Sequence, residues 1–137
     1  MKSKGIAIIL TFPLISGCVD FEERSKSAYT LSHFSHFVQS CELYHQDYGS
    51  LPEFQDTVEF AEILEGKNPR EGKNPKGIRY YAFAKDSRNE TGQIIDGFGQ
   101  QILIERTPQM IKFRSSGPDG AFGTTDDIEL VYDSKSS

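Results

Sequence analysis

Tryptophan is absent from this 137-residue sequence, and histidine is limited to three residues. His33, His36 and His45 all fall on or near one predicted helix. His33 and His36 could share a helix face, but no His-Glu-x-x-His motif completes a zinc site, so surface or half-buried side chains are expected. The sequence also lacks the Gly-x-Ser-x-Gly elbow of hydrolases and the Gly-x-x-x-x-Gly-Lys loop that binds phosphates. These absences argue against an enzyme and against a small-molecule substrate.

The chain has fewer basic residues than acidic ones. It contains 15 Lys and Arg residues and 20 Asp and Glu residues, which gives a net charge of −5. Removal of residues 1–17 would take away Lys2 and Lys4 and leave 13 basic against 20 acidic residues, a net charge near −7. Such a chain is a poor partner for nucleic acid or for anionic lipid surfaces. The roughly 120 residues that remain are enough for one domain with a modest core.

No long apolar run that could span a bilayer is present at the start of the chain, but a short one is. Lys2 and Lys4 precede the apolar residues 5–15 (GIAIILTFPLI), the arrangement of a signal peptide. The segment then runs through Gly17 into Cys18 and resembles the lipobox of bacterial lipoproteins, in which the cysteine is acylated and becomes the new N-terminus. The alternative is an ordinary secretory signal. On the lipoprotein interpretation, Val19 after the cysteine favours sorting to the outer membrane, facing the periplasm.

Cysteine is scarce as well, with only two residues. If Cys18 is lipidated, only Cys41 remains, and no intramolecular disulfide can form. Cys41 lies on the apolar stripe of a predicted helix, so we expect a buried structural thiol. The predicted organisation is a lipoprotein signal over 1–17, the lipidated cysteine and a charged tether over 18–30, a globular domain over 31–133 and a tail over 134–137.

The first half of the domain has the apolar spacing of helices. Apolar residues recur at three- and four-residue steps from Leu31 to Tyr48, and Gly49 supplies a C-terminal cap. Asp56 and Glu59 have the spacing of a capping box for a second helix, which should run to about Leu64. Residues 66–77 (GKNPREGKNPKG) then predict an exposed, basic, turn-rich loop.

The second half has the composition of strands. Four short segments are rich in β-branched and aromatic residues and are separated by turn signals, over residues 78–84, 101–105, 110–114 and 128–132. A helix followed by an antiparallel meander predicts an α+β domain, with the helix covering a sheet of three to four strands. The aromatic cluster Tyr80, Tyr81 and Phe83 could offer an exposed surface, although at least one of its faces should belong to the core.

Residues 115–128 (SSGPDGAFGTTDDI) join the last two predicted strands and carry three carboxylates without a neighbouring Lys or Arg. Glycine lets such a loop turn back on itself, and Ca²⁺ accepts six to eight hard oxygen ligands in flexible geometry. The spacing is not that of an EF-hand. The loop therefore predicts either a structural calcium site or a solvated acidic turn. Catalysis by Asp126 and Asp127 is disfavoured, because adjacent carboxylates in a turn usually point to opposite sides.

Four landmarks together resemble the globular part of the major pseudopilin of type II secretion systems, the protein G family. They are the helix end at residues 44–52 (YHQDYGSLP), the turn at 96–100 (DGFGQ), a strand pair, and the closing loop at 116–128. The resemblance covers residues 31–128, and the closing loop is its most specific part. It implies a pseudopilin-like fold and a structural calcium ion.

Carried over residue by residue, the resemblance implies side-chain calcium ligands at Asp119 and Asp127. It places Asp126 as an additional or outer ligand, with backbone carbonyls near Ser116 and Gly120 completing the shell. The chain departs from the family at its start, because a lipoprotein-like signal replaces the long apolar helix that packs the filament. Phe98 also stands where the family has tryptophan.

Two functions follow as hypotheses. The first is a calcium-stabilised pseudopilin-like module on an envelope lipoprotein, which acts through contacts with envelope or secretion proteins. The second is a periplasmic binding or inhibitor lipoprotein that kept the fold but not the metal. Both use a lipid anchor in the membrane, and neither is an enzyme. They differ in whether calcium stabilises the folded domain.

Overall fold

The computed structural model describes residues 7–8, 17–67 and 72–136. Two helices and four strands form an α+β fold, as the sequence predicts. The elements are β1 (Ala7–Ile8), α1 (Gly17–Tyr48), α2 (Thr57–Leu64), β2 (Leu103–Arg106), β3 (Met110–Ser115) and β4 (Ile128–Asp133). Most of the predicted signal segment, the side chain of Cys18, residues 68–71 and the last residue of the tail lie outside the described residues. The other tail residues form a single 3-10 turn, Ser134–Ser136.

Helix α1 begins much earlier than the apolar pattern predicts. It starts at Gly17 rather than near Leu31, so the expected charged tether is helical. The added segment has no internal Gly or Pro, and an ion pair between Lys26 Nζ and Glu22 Oε2, which lie 3.5 Å apart, supports an exposed turn. An exposed turn needs no apolar stripe, which is why the hydrophobic spacing missed it. Within the described part of the chain, no helix combines the length and apolar character that a membrane crossing requires.

The predicted C-terminal end of α1 and the predicted N-terminal cap of α2 are confirmed. Gly49 follows α1 with a φ of +78°, and its N–H donates to the carbonyl of His45 at 2.7 Å. Asp56 caps α2, because its Oδ1 accepts from the N–H of Glu59 at 2.9 Å. In return, the Glu59 carboxylate accepts from the N–H of Gln55, one residue before the cap. Local side-chain chemistry therefore determines both boundaries.

The strands form one antiparallel sheet in the order β1-β4-β3-β2. The three later strands match predicted segments within two residues. In the sheet, Phe113 of β3 pairs with Ile104 of β2 on one side and with Leu130 of β4 on the other. Strand β1 has only two residues and pairs with Glu129 and Ile128 at the outer edge of β4. The loop of residues 116–127 thus connects β3 and β4, the two adjacent strands in the middle of the sheet.

The predicted strand over residues 78–84 is wrong. This segment is irregular, and the N–H groups of Tyr80 and Tyr81 donate to the carbonyl of Leu64 at the end of α2. Tyr81 and Phe83 pack against Phe37 of α1, with ring centroids 5.3 and 5.5 Å apart. The aromatic composition thus reflects burial against a helix rather than strand pairing, and the three side chains are part-buried instead of forming a free surface.

The expected exposure of the whole 66–77 loop is also wrong at one residue. The side chain of Asn74 is fully buried and bonds to the carbonyls of Ile63 and Ile78. Lys76 and Gly77 beside it are exposed, as expected. A polar side chain that satisfies buried backbone groups cannot be distinguished from a solvated one by composition, because its partners are distant in sequence.

The core lies between the inner face of α1, helix α2 and the sheet. Cys41 is fully buried in it, as predicted, and burial raises the pKa of its thiol far above the ordinary value. The buried side chains are Phe34, Phe37, Val38, Cys41, Leu51, Phe60, Ala61, Leu64, Ile94, Ile102, Ile111, Phe113, Ile128, Leu130 and Tyr132. Neither helix α1 nor the sheet could bury its apolar face alone, so the two depend on each other.

Candidate metal site

The loop between β3 and β4 is closed at its neck by a glycine. Gly117 begins a 3-10 turn, Gly117–Asp119, and has a φ of +71°. A Cβ atom at this position would lie 2.1 Å from the carbonyl oxygen of Asp126. Only glycine allows both the left-handed backbone and this approach. The two ends of the loop are therefore in direct contact, and the carboxylates between them share a confined segment.

Two of the predicted ligands already accept backbone hydrogen bonds. Asp119 is exposed, and its Oδ1 accepts from the N–H of Ala121 at 3.0 Å. This bond, followed by one from the Thr124 hydroxyl, lowers the pKa of Asp119 below its ordinary value. Asp127 Oδ2 accepts from the N–H of Gly123 at 2.8 Å. The loop thus holds both carboxylates with backbone donors.

The second oxygen of Asp127 is the unusual atom of the loop. Asp127 Oδ1 is buried and has no hydrogen-bond partner among the described residues. A buried carboxylate oxygen without a donor or a cation is costly. Thr124 contacts both acidic residues: its carbonyl accepts from the N–H of Asp127 at 3.3 Å, and its hydroxyl bonds to the Asp119 carboxylate. An ion bound next to Oδ1 would satisfy it.

The other predicted ligands are dispersed around the neck. Ser116 is buried, Gly120 ends the 3-10 turn with a φ of +70°, and Asp126 is half-buried. In the part of the chain that the structure describes, no three His, Cys, Asp or Glu side chains gather closely enough to hold a metal. The three loop carboxylates therefore do not form one cluster. The residues fit calcium in donor chemistry, with Asp119 and Asp127 complemented by carbonyl and hydroxyl oxygens, which Ca²⁺ accepts.

The structure adds two residues to the site that sequence reasoning did not assign. Asp96 is buried, and its Oδ1 accepts from the N–H groups of Phe98 and Gln100, both at 2.9 Å. Its Oδ2 accepts from the Ser115 hydroxyl at 2.7 Å, and Ser115 Oγ accepts from the N–H of Gly117 at 3.0 Å. The Asp-Gly pair signals a turn in the sequence, but the contact with Ser115 requires the fold.

The N-terminal part of α1 lies beside the loop. Glu22, Glu23 and Lys26 line one cleft of about 420 Å³ together with residues 117–120. Phe98 and Gln100 complete its wall. The loop therefore lies against the first turns of α1. These turns follow the predicted lipidation site at position 18 directly in the sequence.

The histidines lie away from this loop. His33 is half-buried and His36 is exposed, as expected, and the Tyr81 hydroxyl lies 3.2 Å from His33 Nδ1. Burial, helped by the charge of His36, lowers the pKa of His33 below its ordinary value. The imidazole is therefore neutral near pH 7 and packs as an aromatic group, with its ring centroid 4.3 Å from that of Tyr29.

Comparison with known proteins gives no relative for this chain. No family model matches it, and neither curated proteins nor solved structures provide a match. The resemblance to the pseudopilin family therefore stays a prediction that rests on the sequence motifs. The loop geometry is a separate, physical reason to consider a bound cation.

Proposed function

We propose that this chain is a non-enzymatic envelope lipoprotein, anchored through Cys18 in the outer membrane and facing the periplasm. Its pseudopilin-like domain acts through contacts with other envelope proteins, with protein secretion as the setting. A calcium ion stabilises the loop of residues 116–127. The observation that supports this proposal most directly is the buried, unpartnered Oδ1 of Asp127.

Calcium explains the loop better than a solvated turn does. A solvated turn would leave its carboxylate oxygens in water, whereas Asp127 Oδ1 is shielded from solvent. Asp119 has a lowered pKa, so it is ionised at neutral pH and ready to bind a cation. In this role Asp119 and Asp127 supply side-chain oxygens, Ser116 and Gly120 supply carbonyls, and Asp126 acts as an outer ligand. The metal contributes folding free energy because it binds only the native loop.

A structural role within the loop suits these carboxylates better than catalysis. Asp119 and Asp127 each use one oxygen to hold a backbone N–H of the loop, at 3.0 and 2.8 Å. Asp126 lies at the neck, where its carbonyl oxygen meets Gly117. These groups hold the loop in shape, and a general acid or base would need a free oxygen directed at a substrate.

The test is the melting temperature of the purified protein with excess calcium and with a chelator. Free calcium at a hundred times its Kd should add about 2.7 kcal/mol to the free energy of unfolding. For a domain of this size that equals a rise of roughly 8–11 °C in Tm. Asp127→Asn and Asp119→Ala should each abolish the rise, since each removes a charged ligand.

Asp86→Asn is the matched control, because it removes the same charge from an exposed 3-10 turn outside the loop. It should retain the full calcium response. Equal melting temperatures with calcium and chelator would refute the metal site. That result would move the assignment to the metal-free binding or inhibitor lipoprotein with the same fold.

A further inference from the structure

Two exposed phenylalanines lie at the end of the domain where α1 begins. Phe21 is 72 % exposed on α1, and Phe122 is 44 % exposed in the metal loop. Phe122 is flanked by exposed residues from Asp119 to Thr125. Large aromatic side chains left in water at one end of a small domain are unfavourable unless another phase or partner covers them.

The fold places both residues near the predicted lipidation site. At a rise of 1.5 Å per residue, Phe21 lies about 4.5 Å along the α1 axis from position 18. Glu22 to Lys26, about 6–12 Å along the same axis, line the cleft with residues 117–120. Phe122 follows this cleft wall by two residues. Both phenylalanines therefore lie on segments that are close to position 18, the predicted anchor.

We propose that Phe21 and Phe122 enter the interfacial layer of the bilayer, so that the domain stands on the membrane with the metal loop at its surface. This inference rests on the proposed function, because it requires an acyl anchor at Cys18. Aromatic side chains buried in the interface add to the membrane affinity of a lipid anchor. The anchor brings these two side chains to the surface in every molecule, which lowers the entropic cost of their insertion.

The charged residues near the start of α1 determine which lipid headgroups this end of the domain can approach. Glu22, Glu23 and Asp119 line the cleft, and the one basic group there, Lys26, is paired with Glu22 at 3.5 Å. An acidic surface is repelled by anionic headgroups. The occupant is therefore a zwitterionic bilayer surface, such as one of phosphatidylethanolamine and phosphatidylcholine.

The absence of tryptophan makes a direct experiment possible, since one substitution creates a single fluorescent reporter. The full chain is purified from cells with its own lipid and placed in phosphatidylethanolamine and phosphatidylcholine vesicles with brominated acyl chains. Phe122→Trp and Phe21→Trp are the two reporters. Leu43→Trp is the matched control, because Leu43 is 49 % exposed on α1 but lies about 37 Å along the helix from position 18.

The expected result is that both reporters emit to the blue of tryptophan in water and are quenched about twofold or more, as interfacial burial requires. The Leu43→Trp emission should resemble that of exposed tryptophan and should not be quenched. Anionic lipid added to the vesicles should weaken the quenching of the two reporters.

Mass spectrometry of the same samples separates the two proposals. An unmodified Cys18 overturns the lipoprotein assignment, and the inference with it. An acylated Cys18 with unquenched reporters overturns the inference alone. Equal quenching at Phe122→Trp and Leu43→Trp also overturns it, because the domain would then lie along the membrane rather than stand on it.

Discussion

Asn74 connects three parts of the chain through one side chain. Its Nδ2 donates to the carbonyls of Ile63 and Ile78 at 2.7 and 2.9 Å. Its Oδ1 accepts from the Tyr48 hydroxyl at 2.7 Å and from the N–H of Ile78 at 3.3 Å. These four bonds use the two donors and the two acceptor sites that an amide side chain has. The ends of both helices are therefore tied to the segment that leads to the aromatic residues at 80–83.

Asn74→Ala should lower the free energy of unfolding by about 3 kcal/mol, because it leaves buried carbonyl and N–H groups without partners. Asn74→Asp should be nearly as harmful, since a carboxylate keeps the acceptor but loses both donors. Urea unfolding followed by circular dichroism measures both. Asn89→Ala is the control, because the Asn89 side chain bonds with Thr91 and Gln93, which lie two and four residues along the chain. A loss of less than about 1 kcal/mol in Asn74→Ala would contradict this role.

At the scale of elements, α2 is held to the loop that follows it by an ion pair. Lys73 donates to the carboxylate of Glu59, which stands in the first turn of α2. This hydrogen bond is the main reason that the pKa of Glu59 lies below its ordinary value of 4.5. The carboxylate also accepts from the N–H of Gln55. One side chain thus caps the helix and fixes the loop.

The ion pair predicts a pH dependence of stability. Because the folded-state pKa of Glu59 is lowered, its contribution is complete above the unfolded value of 4.5 and is lost as the pH falls through the folded-state pKa. Lys73→Met should therefore cost less than about 1 kcal/mol at pH 7, and its difference from the natural protein should shrink toward pH 3.

Urea midpoints at a series of pH values measure this difference. Lys76→Met is the control, because the Lys76 ammonium lies 5.5 Å from the Tyr48 ring centroid and is paired with an aromatic face. Its effect should not vary with pH over the same range. A Lys73→Met effect that is constant from pH 3 to 7 would show that Glu59 is not the partner that matters.

For the whole molecule, the contact between α1 and the turn at 96–100 joins the helix to the loop of residues 116–127. A Cβ on Gly97 would lie 2.5 Å from the carbonyl oxygen of Lys26, so the turn packs directly on the helix backbone. Thr30 Oγ1 accepts from the N–H of Gly97 at 2.8 Å and donates to Lys26. Asp96 then continues the path through Ser115 into the loop. Helix, turn and loop therefore form one connected polar path.

Thr30→Val should lower the free energy of unfolding by about 2 kcal/mol, since it keeps the shape but leaves the part-buried Gly97 N–H without its acceptor. Thr30→Ser retains the hydroxyl and should lose clearly less. Chemical unfolding of the two variants side by side gives the comparison. If Thr30→Ser proved as unstable as Thr30→Val, the methyl contacts would stabilise the protein as much as the hydrogen bond does, which would contradict this prediction.

Local patterns predicted the arrangement of the loop at residues 116–127 only in part. They grouped Asp119, Asp126 and Asp127, because these residues are close in sequence. The fold gives each of them a different environment, with Asp119 exposed and one oxygen of Asp127 buried. It also adds Asp96 and Ser115, whose contact spans 19 residues. Burial of single atoms depends on what packs above them, and composition carries no information about that.

The sequence by itself determined the α+β class, the end of α1 at Tyr48, the cap of α2 at Asp56 and three of the strands. Each of these depends on periodicity or on side chains within a few residues, so short-range physics is sufficient. Only the tertiary structure decided that α1 extends back to Gly17, that residues 78–84 are irregular and that Asn74 is buried. The last two features depend on partners far along the chain, which supply hydrogen bonds and packing only after the domain has folded. The added turns of α1 are mostly exposed and lack the apolar stripe on which the periodicity argument depends.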